Sequence, residues 1–335
     1  FMYNCLTAVI LTTGAFTYFW APWAFPGGGG NALIMGILVC GIIGGFTSIL
    51  SIAVLLSSAM PRSGGDYIFQ SRLLHGSVGF TFAFGFAIPF VLYWQAMGGW
   101  WVSAMGLSPM FTFFGYLWNN PALLALGAWF ASPDGVFIVC VLVTVILALT
   151  LIPGMRPYLR LQWILFALFC ASIVISLALY FTFPPALFKE TFNNFMKVIA
   201  PEIPDYYSQT ISTAKNSGFN PFRPFNWYDI FGVVTLAWWA LAWTALWTVQ
   251  NLGEIKRADS IKRLSWVFIG CLVFCTIVMT LTAAGMVRIT GWEWLSSQSW
   301  EFYEGGSRIP FPPYNFFVAA LLTSSPILMA LIFLG

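Results

Sequence analysis

Charged residues are scarce in this 335-residue sequence, where Asp, Glu, Lys and Arg together make up 7% of the chain. A soluble globular protein has about 25% charged residues, so this chain cannot cover a water-facing surface. Hydrophobic residues make up 59% of it, in runs of about 20 residues without strand-like alternation. Because lipid offers the backbone no hydrogen bonds, such runs must satisfy their own as helices. The composition predicts an all-α polytopic membrane protein.

Histidine and paired cysteines are also scarce. The single histidine, His75, lies beside Arg72 in a basic connection, where a solvated side chain is the simpler interpretation than a catalytic one. The six cysteines lie in apolar runs without a CxxC pair, which argues against a zinc site or a disulfide framework. A net charge of +3 is too small to indicate nucleic-acid binding. We therefore expect no cofactor, no metal and no nucleic-acid partner.

The apolar runs, bounded by polar, Pro or Gly clusters, predict eight membrane spans. They cover residues 2–24, 33–58, 80–103, 135–152, 161–183, 230–252, 264–287 and 314–334. None of these runs contains Asp, Glu, Lys or Arg, so all charges fall in the connections. We expect one transmembrane domain over residues 1–335. Since the sequence starts at Phe1 and stops after an apolar run, we expect it to be truncated at both ends.

Basic residues divide unevenly between alternate connections. The short connections after the second, fourth and sixth runs carry eight Lys and Arg, and the longer ones carry six. The positive-inside rule then predicts a multi-pass protein of the cell membrane with a cytoplasmic N-terminus and an extracellular loop at 184–229. In this loop Phe188, Phe192, Phe195 and Ile199 recur at helical spacing. They predict an amphipathic surface helix that either covers an external vestibule or packs over helix ends.

Two short motifs carry a resemblance to a known family. Residues 61–72 read PRSGGDYIFQSR, which closely resembles the P-x-S-G-G-x-Y-x-[YF]-x-x-R signature of the amino acid–polyamine–organocation transporter superfamily. Residues 253–258 read GEIKRA, similar to the family's G-E-[IV]-K-N-P stretch with Arg-Ala in place of Asn-Pro. The resemblance implies a five-plus-five inverted-repeat transporter fold, of which about eight helices are present here.

In that family the substrate sits near mid-membrane, where the first and sixth spans break. The family's first-span motif I-I-G-S-G-I-F aligns with residues 10–16, and its sixth-span motif aligns with residues 239–246. The implied substrate-binding residues are Thr12, Thr13, Gly14, Ala15, Trp239, Trp243 and Thr244. Two simpler interpretations stay open: the threonines bond to their own helix, and the tryptophans pack between helices.

The function that the resemblance implies is secondary active transport of an amino acid or related small organic solute by alternating access. Because no span carries a charge, neutral or apolar solutes are favoured. The coupling ion is either a proton or sodium, the latter held by the Leu11 carbonyl with the Thr323 and Ser324 hydroxyls. These hydroxyls could instead serve their own helix. A polytopic membrane enzyme and a passive channel-like subunit are the alternatives, although no catalytic cluster or selectivity filter is visible, and we expect no enzymatic activity.

Overall fold

The computed structural model describes residues 16–51, 65–241 and 260–335, and these residues form helices without any strand. Four helices are long and apolar enough to cross a membrane. They are Gly76–Leu117, Pro133–Leu151, Met155–Thr182 and Lys262–Thr290. Each overlaps one of the expected spans at 80–103, 135–152, 161–183 and 264–287. The expected spans at 2–24, 33–58 and 230–252 extend into residues that the structure does not describe.

The chain contains both long helices and short ones. In chain order the α-helices are α1 (Phe16–Phe19), α2 (Ala21–Ala24), α3 (Asn31–Val39), α4 (Gly65–Leu73), α5 (Gly76–Trp100), α6 (Ser108–Leu117), α7 (Pro121–Ala131), α8 (Pro133–Leu151), α9 (Met155–Thr182), α10 (Pro185–Ile199), α11 (Tyr206–Asn216), α12 (Trp227–Leu241), α13 (Ile261–Thr290), α14 (Trp292–Glu304), α15 (Asn315–Ala320) and α16 (Pro326–Leu334). A 3-10 turn at Gly27–Gly30 precedes α3, and π-helical segments occur at Cys40–Leu50 and Trp101–Leu107.

The segment between the expected third and fourth spans is helical rather than a simple connection. Asn120 and Ser132 cap α7 and α8: Asn120 Oδ1 accepts from the Ala122 N–H at 3.0 Å, and Ser132 Oγ accepts from the Gly135 N–H at 3.2 Å. A proline follows each cap at the first helical position, where its missing N–H costs no hydrogen bond. The two caps therefore separate three consecutive helices by very short turns.

The apolar run 314–334 differs from the single span expected there. It forms two short helices, α15 and α16, joined by the non-helical link 321–325. Pro326 explains the division, since proline removes a helical donor and disfavours helical geometry at the residue before it. Ser325 has extended backbone and caps α16 through its Oγ, which accepts from the Leu328 N–H at 3.4 Å. The helix α16 thus begins at Pro326.

A cover of three polar helices, α10, α11 and α14, packs over the ends of the apolar helices. The helix α10 occupies the segment for which the sequence predicts an amphipathic helix, and it buries Phe188, Phe192, Phe195 and Met196. The Trp294 ring of α14 lies against Phe188 and Phe192 with ring centroids 4.8 Å apart in both pairs. The largest buried aromatic cluster of the cover therefore joins α10 to α14.

Candidate functional site

Most of the substrate-binding residues expected from the sequence lie outside the described part of the chain. These are Thr12, Thr13, Gly14, Ala15, Trp243 and Thr244, and Leu11 of the expected sodium site lies there as well. Trp239 lies in α12, two residues before the described segment ends at Leu241. The assignment of a substrate site to these residues therefore stays a prediction.

Thr323 and Ser324 are described, and they lie in the link between α15 and α16 rather than inside a helix. Thr323 Oγ1 accepts a hydrogen bond from the Ser325 N–H at 3.2 Å. This bond and the Ser325 cap both satisfy local backbone donors, as hydroxyl groups commonly do at helix starts. The sodium site proposed for Thr323 and Ser324 also stays a prediction.

The described ends of the first and sixth expected spans lie against each other. Phe25, just after α2, packs on α12, where a Cβ added to Gly232 would lie 2.2 Å from the Phe25 ring. The Phe25 and Tyr228 rings are in edge contact with centroids 6.0 Å apart. On the other side, the Tyr18 hydroxyl of α1 donates to the Met279 carbonyl of α13 at 3.4 Å. The two helices that the family resemblance pairs at the substrate site are therefore neighbours in this structure.

A tetraglycine turn, Gly27–Gly30, leads from α2 into α3. Gly28, Gly29 and Gly30 all have positive φ, between 63° and 94°, a conformation that glycine adopts without steric cost. The turn lies directly on Asp229, because a Cβ added to Gly27 would lie 1.9 Å from Asp229 Oδ2. Sequence reasoning placed Asp229 in the polar loop, whereas its side chain is 1% exposed.

The carboxylate of Asp229 is held at the start of α12. The Asn226 side chain donates to Oδ2 at 2.9 Å, and its oxygen accepts from the Asp229 N–H at 2.9 Å. The first turn of a helix favours a negative charge because its free N–H groups point outward. Asp229 Oδ1 has no hydrogen-bond partner among the described residues. The buried carboxylate thus fixes the junction of the tetraglycine turn with α12.

An open cavity of about 350 Å³ lies above the end of α2. Its lining combines aromatic rings with a cation and neutral polar groups. The aromatic and polar lining residues are Trp23, Ser217, Phe219, Asn220, Arg223 and Trp300. The indole N–H of Trp23 is buried and has no acceptor among the described residues. The cavity therefore offers the Arg223 guanidinium beside apolar ring faces.

Ring contacts hold α14 as one wall of the cavity. Tyr303 stacks on Trp23 with ring centroids 5.5 Å apart, and Trp300 stacks on Phe219 at 5.9 Å. The Trp292 indole donates to the Pro221 carbonyl at 2.7 Å. These contacts connect α14 both to α2 and to the loop that follows α11. A displacement of α14 would therefore widen the cavity.

Arg223 is tied to the tetraglycine region through its backbone and its side chain. Its carbonyl accepts from the Gly28 N–H at 3.0 Å, and its guanidinium donates to the Ala24 carbonyl at 3.4 Å. The guanidinium has five N–H donors in a planar fork, so most of them stay available to a ligand. Arginine is suited to binding a carboxylate through two parallel hydrogen bonds.

No local sequence pattern indicates this cavity. Trp23 and Arg223 are separated by about two hundred positions, and each reads as an ordinary interfacial anchor or loop charge. Among the residues that the structure describes, no three His, Cys, Asp or Glu side chains lie close enough to hold a metal ion. No protein-family model matches the sequence, and no match was found among curated proteins or solved structures.

Proposed function

We propose that this chain forms the core of a secondary transporter for an amino acid or a related small organic solute. The proposed fold is the five-plus-five inverted repeat. In the proposed orientation the N-terminus is cytoplasmic, and the cover formed by α10, α11 and α14 lies on the extracellular side of the cell membrane. The signature at residues 61–72 and the stretch at 253–258 support this proposal from the sequence.

One structural observation gives the proposal its strongest support. The first apolar segment and α12 contact each other through Phe25 and Gly232, and the cavity opens directly above this contact. Solute sites in transporters of this architecture lie between interrupted helices near mid-membrane. The cavity, whose lining includes Trp23 and Ala24, therefore lies next to the junction of these two segments.

The chemistry of the cavity suits an amino acid with an apolar side chain. The Arg223 guanidinium can donate two parallel hydrogen bonds to a carboxylate. The Trp300 and Phe219 rings supply an apolar surface for a side chain. We assign to the cavity the role of an external entry site that precedes the expected site at Thr12, Thr13 and Gly14.

Uptake into proteoliposomes tests the transport function. Labelled neutral amino acids should accumulate with saturation, and unlabelled solute should compete. Arg223→Gln should raise the KM by about ten- to a hundredfold, because a hydrogen bond to a charged group contributes about 1.5–3 kcal/mol. Arg308→Gln is the matched control, since Arg308 pairs with Glu202 and does not line the cavity. Absence of uptake for every amino acid would refute the proposal, and unsaturable flux would indicate a channel instead.

Side-specific labelling tests the proposed orientation. A cysteine at Ser217, on the rim of the cavity, should react with an impermeant maleimide added outside. A cysteine at Ser260, just before α13, should react only from inside. Labelling in the opposite sense would place the cover in the cytoplasm and would exclude the cavity as an external entry site.

A further inference from the structure

One face of α14 is both polar and buried. Trp294, Ser297, Gln298 and Glu301 follow the spacing i, i+3, i+4 and i+7, which places them on one side of a helix. Each of these side chains is at most 3% exposed. Serine, glutamine and glutamate at such positions on a loop helix normally face water. The packing of the cover has therefore removed a polar face from solvent.

The polar atoms on this face are largely unpaired. Trp294 Nε1, Ser297 Oγ, Gln298 Oε1 and Glu301 Oε2 have no hydrogen-bond partner among the described residues. The same holds for Thr210 Oγ1 on α11, the helix that packs against α14. An unsatisfied buried polar group destabilises a fold, and a charged one does so more strongly. Of these atoms only the Glu301 carboxylate oxygen would carry a charge, so it is the one that most needs a partner or a proton.

Two of these atoms can only accept hydrogen bonds. The Gln298 amide is oriented by its Nε2, which donates to Ser307 Oγ at 2.9 Å and leaves Oε1 as an acceptor only, and an ionised Glu301 offers acceptors only. The Trp294 indole N–H and the Ser297 and Thr210 hydroxyl groups are donors, but none of them bonds to Glu301 Oε2. An ionised Glu301 therefore keeps an unpaired charge in the interface, whereas a protonated carboxyl group is neutral.

The neighbouring charges give Glu301 no counter-ion. The titratable and charged side chains on the elements and loops packed against α14 are Lys189, Glu190 and Lys197 of α10, Glu202 and Asp205 of the loop after α10, Tyr206, Tyr207 and Lys215 of α11, Tyr18 of α1, Arg288 of α13 and Arg308 of the following loop, with Glu293, Tyr303 and Glu304 on α14 itself.

The cations in this set form ion pairs or hydrogen bonds with groups other than Glu301. Lys189 pairs with Asp205 at 2.8 Å, Lys215 pairs with Glu293 at 3.1 Å, and Arg308 pairs with Glu202. Lys197 donates to Asn194, and Arg288 donates to the Tyr180 and Phe183 carbonyls. Burial raises the pKa of Glu301 to about 7, and burial, with the Glu301 charge as a second cause, raises the pKa of the neighbouring Tyr206.

We propose that Glu301 is a proton-binding site on the buried face between α14 and α11, and that the bound proton holds α14 in place as the wall of the cavity. The proton comes from solvent to Glu301 Oε2 and returns to solvent on release. Loss of the proton leaves an unpaired anion in the interface, which drives α14 outward. Since Trp300 precedes Glu301 and lines the cavity, proton release widens the entry site. This last step rests on the proposed transport function, whereas the proton site does not.

The sign of the pH dependence follows from the raised pKa. The contribution of the bound proton to the docking of α14 is full below about pH 4.5, the ordinary carboxyl value, and it is lost as the pH rises to about 7. Across that window the equilibrium between docked and undocked α14 should shift by about tenfold per pH unit. Above it the equilibrium should become constant.

Infrared difference spectroscopy of the purified protein without solute tests the proton site directly. A band of a protonated carboxyl group should disappear with a midpoint of about pH 7. The band should be absent in Glu301→Gln and should stay in Glu304→Gln, which changes an exposed carboxyl on the same helix. A midpoint in the ordinary carboxyl range, or a band that Glu301→Gln leaves in place, would overturn the proposal. A midpoint that falls when sodium replaces choline would show a metal cation at the site and would also overturn it.

Hydrogen exchange on the wild-type protein tests the proposal even if Glu301→Gln does not fold. After correction for intrinsic rates, the exchange of residues 292–304 should accelerate by about tenfold per pH unit between about pH 4.5 and 7. The amides of α8 should show no such dependence. Equal pH dependence in α8 and α14 would contradict a proton bound between α14 and α11. Neither measurement needs a solute, so a failure of transport and a failure of the proton site give different results.

Discussion

The apolar helix α8 and the polar helix α14 follow opposite rules. In α8 large apolar side chains are exposed, for example Phe137 at 68% and Leu142 at 54%. In α14 polar side chains are fully buried, among them Ser297 and Gln298. The difference arises because α8 is apolar and long enough to cross a membrane, whereas α14 packs against other helices of the protein. Exposure alone therefore does not tell which residues stabilise this molecule.

The comparison indicates that burial of side chains stabilises the cover more than it stabilises α8. A leucine exposed to lipid gains nothing by leaving it, since lipid tails are as apolar as the protein interior. The cover, in contrast, lies in contact with water and gains by burying rings such as Phe188 and Trp294. Substitutions of aromatic residues should therefore have large effects in the cover and small ones on α8.

The largest expected effect is that of Trp294→Ala. The Trp294 ring contacts Phe188, Phe192 and Tyr207, with centroids 4.8–6.0 Å away. The substitution should cost about 3–5 kcal/mol, the range for deleting a buried aromatic ring. Phe137→Ala on α8 is the control and should cost less than about 0.5 kcal/mol. Thermal unfolding in detergent measures both, and equal losses would mean that α8 is not covered by lipid.

Two substitutions that introduce a charge, one on α8 and one on α10 at positions of similar exposed fraction, test the same comparison. Leu142 on α8 is 54% exposed, and Val198 on α10 is 50% exposed. Leu142→Arg should cost about 2.5–3.5 kcal/mol of membrane insertion, because it places a charge at the centre of an apolar helix. Val198→Arg should insert normally, since it faces water. Glycosylation-based insertion assays report both outcomes, and normal insertion of Leu142→Arg would remove α8 from the lipid layer.

The smallest expected effect concerns a second carboxyl group of the cover. Asp205 caps α11, where Oδ1 accepts from the Ser208 N–H at 3.1 Å, and it pairs with Lys189 at 2.8 Å. Although burial raises the pKa of Asp205, the bonds from Lys189, Ser208 and Asn193 hold it well below the usual range. Its contribution to stability is therefore present above about pH 3.8 and is lost as the pH falls below that value.

Asp205→Ala should accordingly destabilise the cover by about 1 kcal/mol, the usual contribution of an N-cap. The loss should be visible at neutral pH and should shrink in acid, as followed by thermal unfolding. Glu190→Gln, on the exposed side of α10, is the control and should leave the unfolding temperature unchanged. A loss from Asp205→Ala that is the same at pH about 2 and about 7 would contradict the role of its charge.

The sequence predicted those helices whose apolar or aromatic pattern lies within a few turns of the chain. The apolar runs at 135–152 and 161–183 correspond to α8 and α9, and the aromatic spacing from Phe188 to Ile199 corresponds to α10. Such patterns depend only on residues within a few turns of one another. The division of 314–334 had a local signal as well, Ser325 followed by Pro326, although the apolar run concealed it.

What the sequence by itself determined is the solvent: with 7% charged residues the chain must place its apolar helices in lipid and its charges in connections. The tertiary structure decided which of these connections became protein interior. Glu301 and Asp229 read as loop acids, yet both are buried once α14 and the tetraglycine turn pack against their neighbours. The physical reason is that burial of a polar group depends on partners hundreds of residues away, which no local pattern encodes.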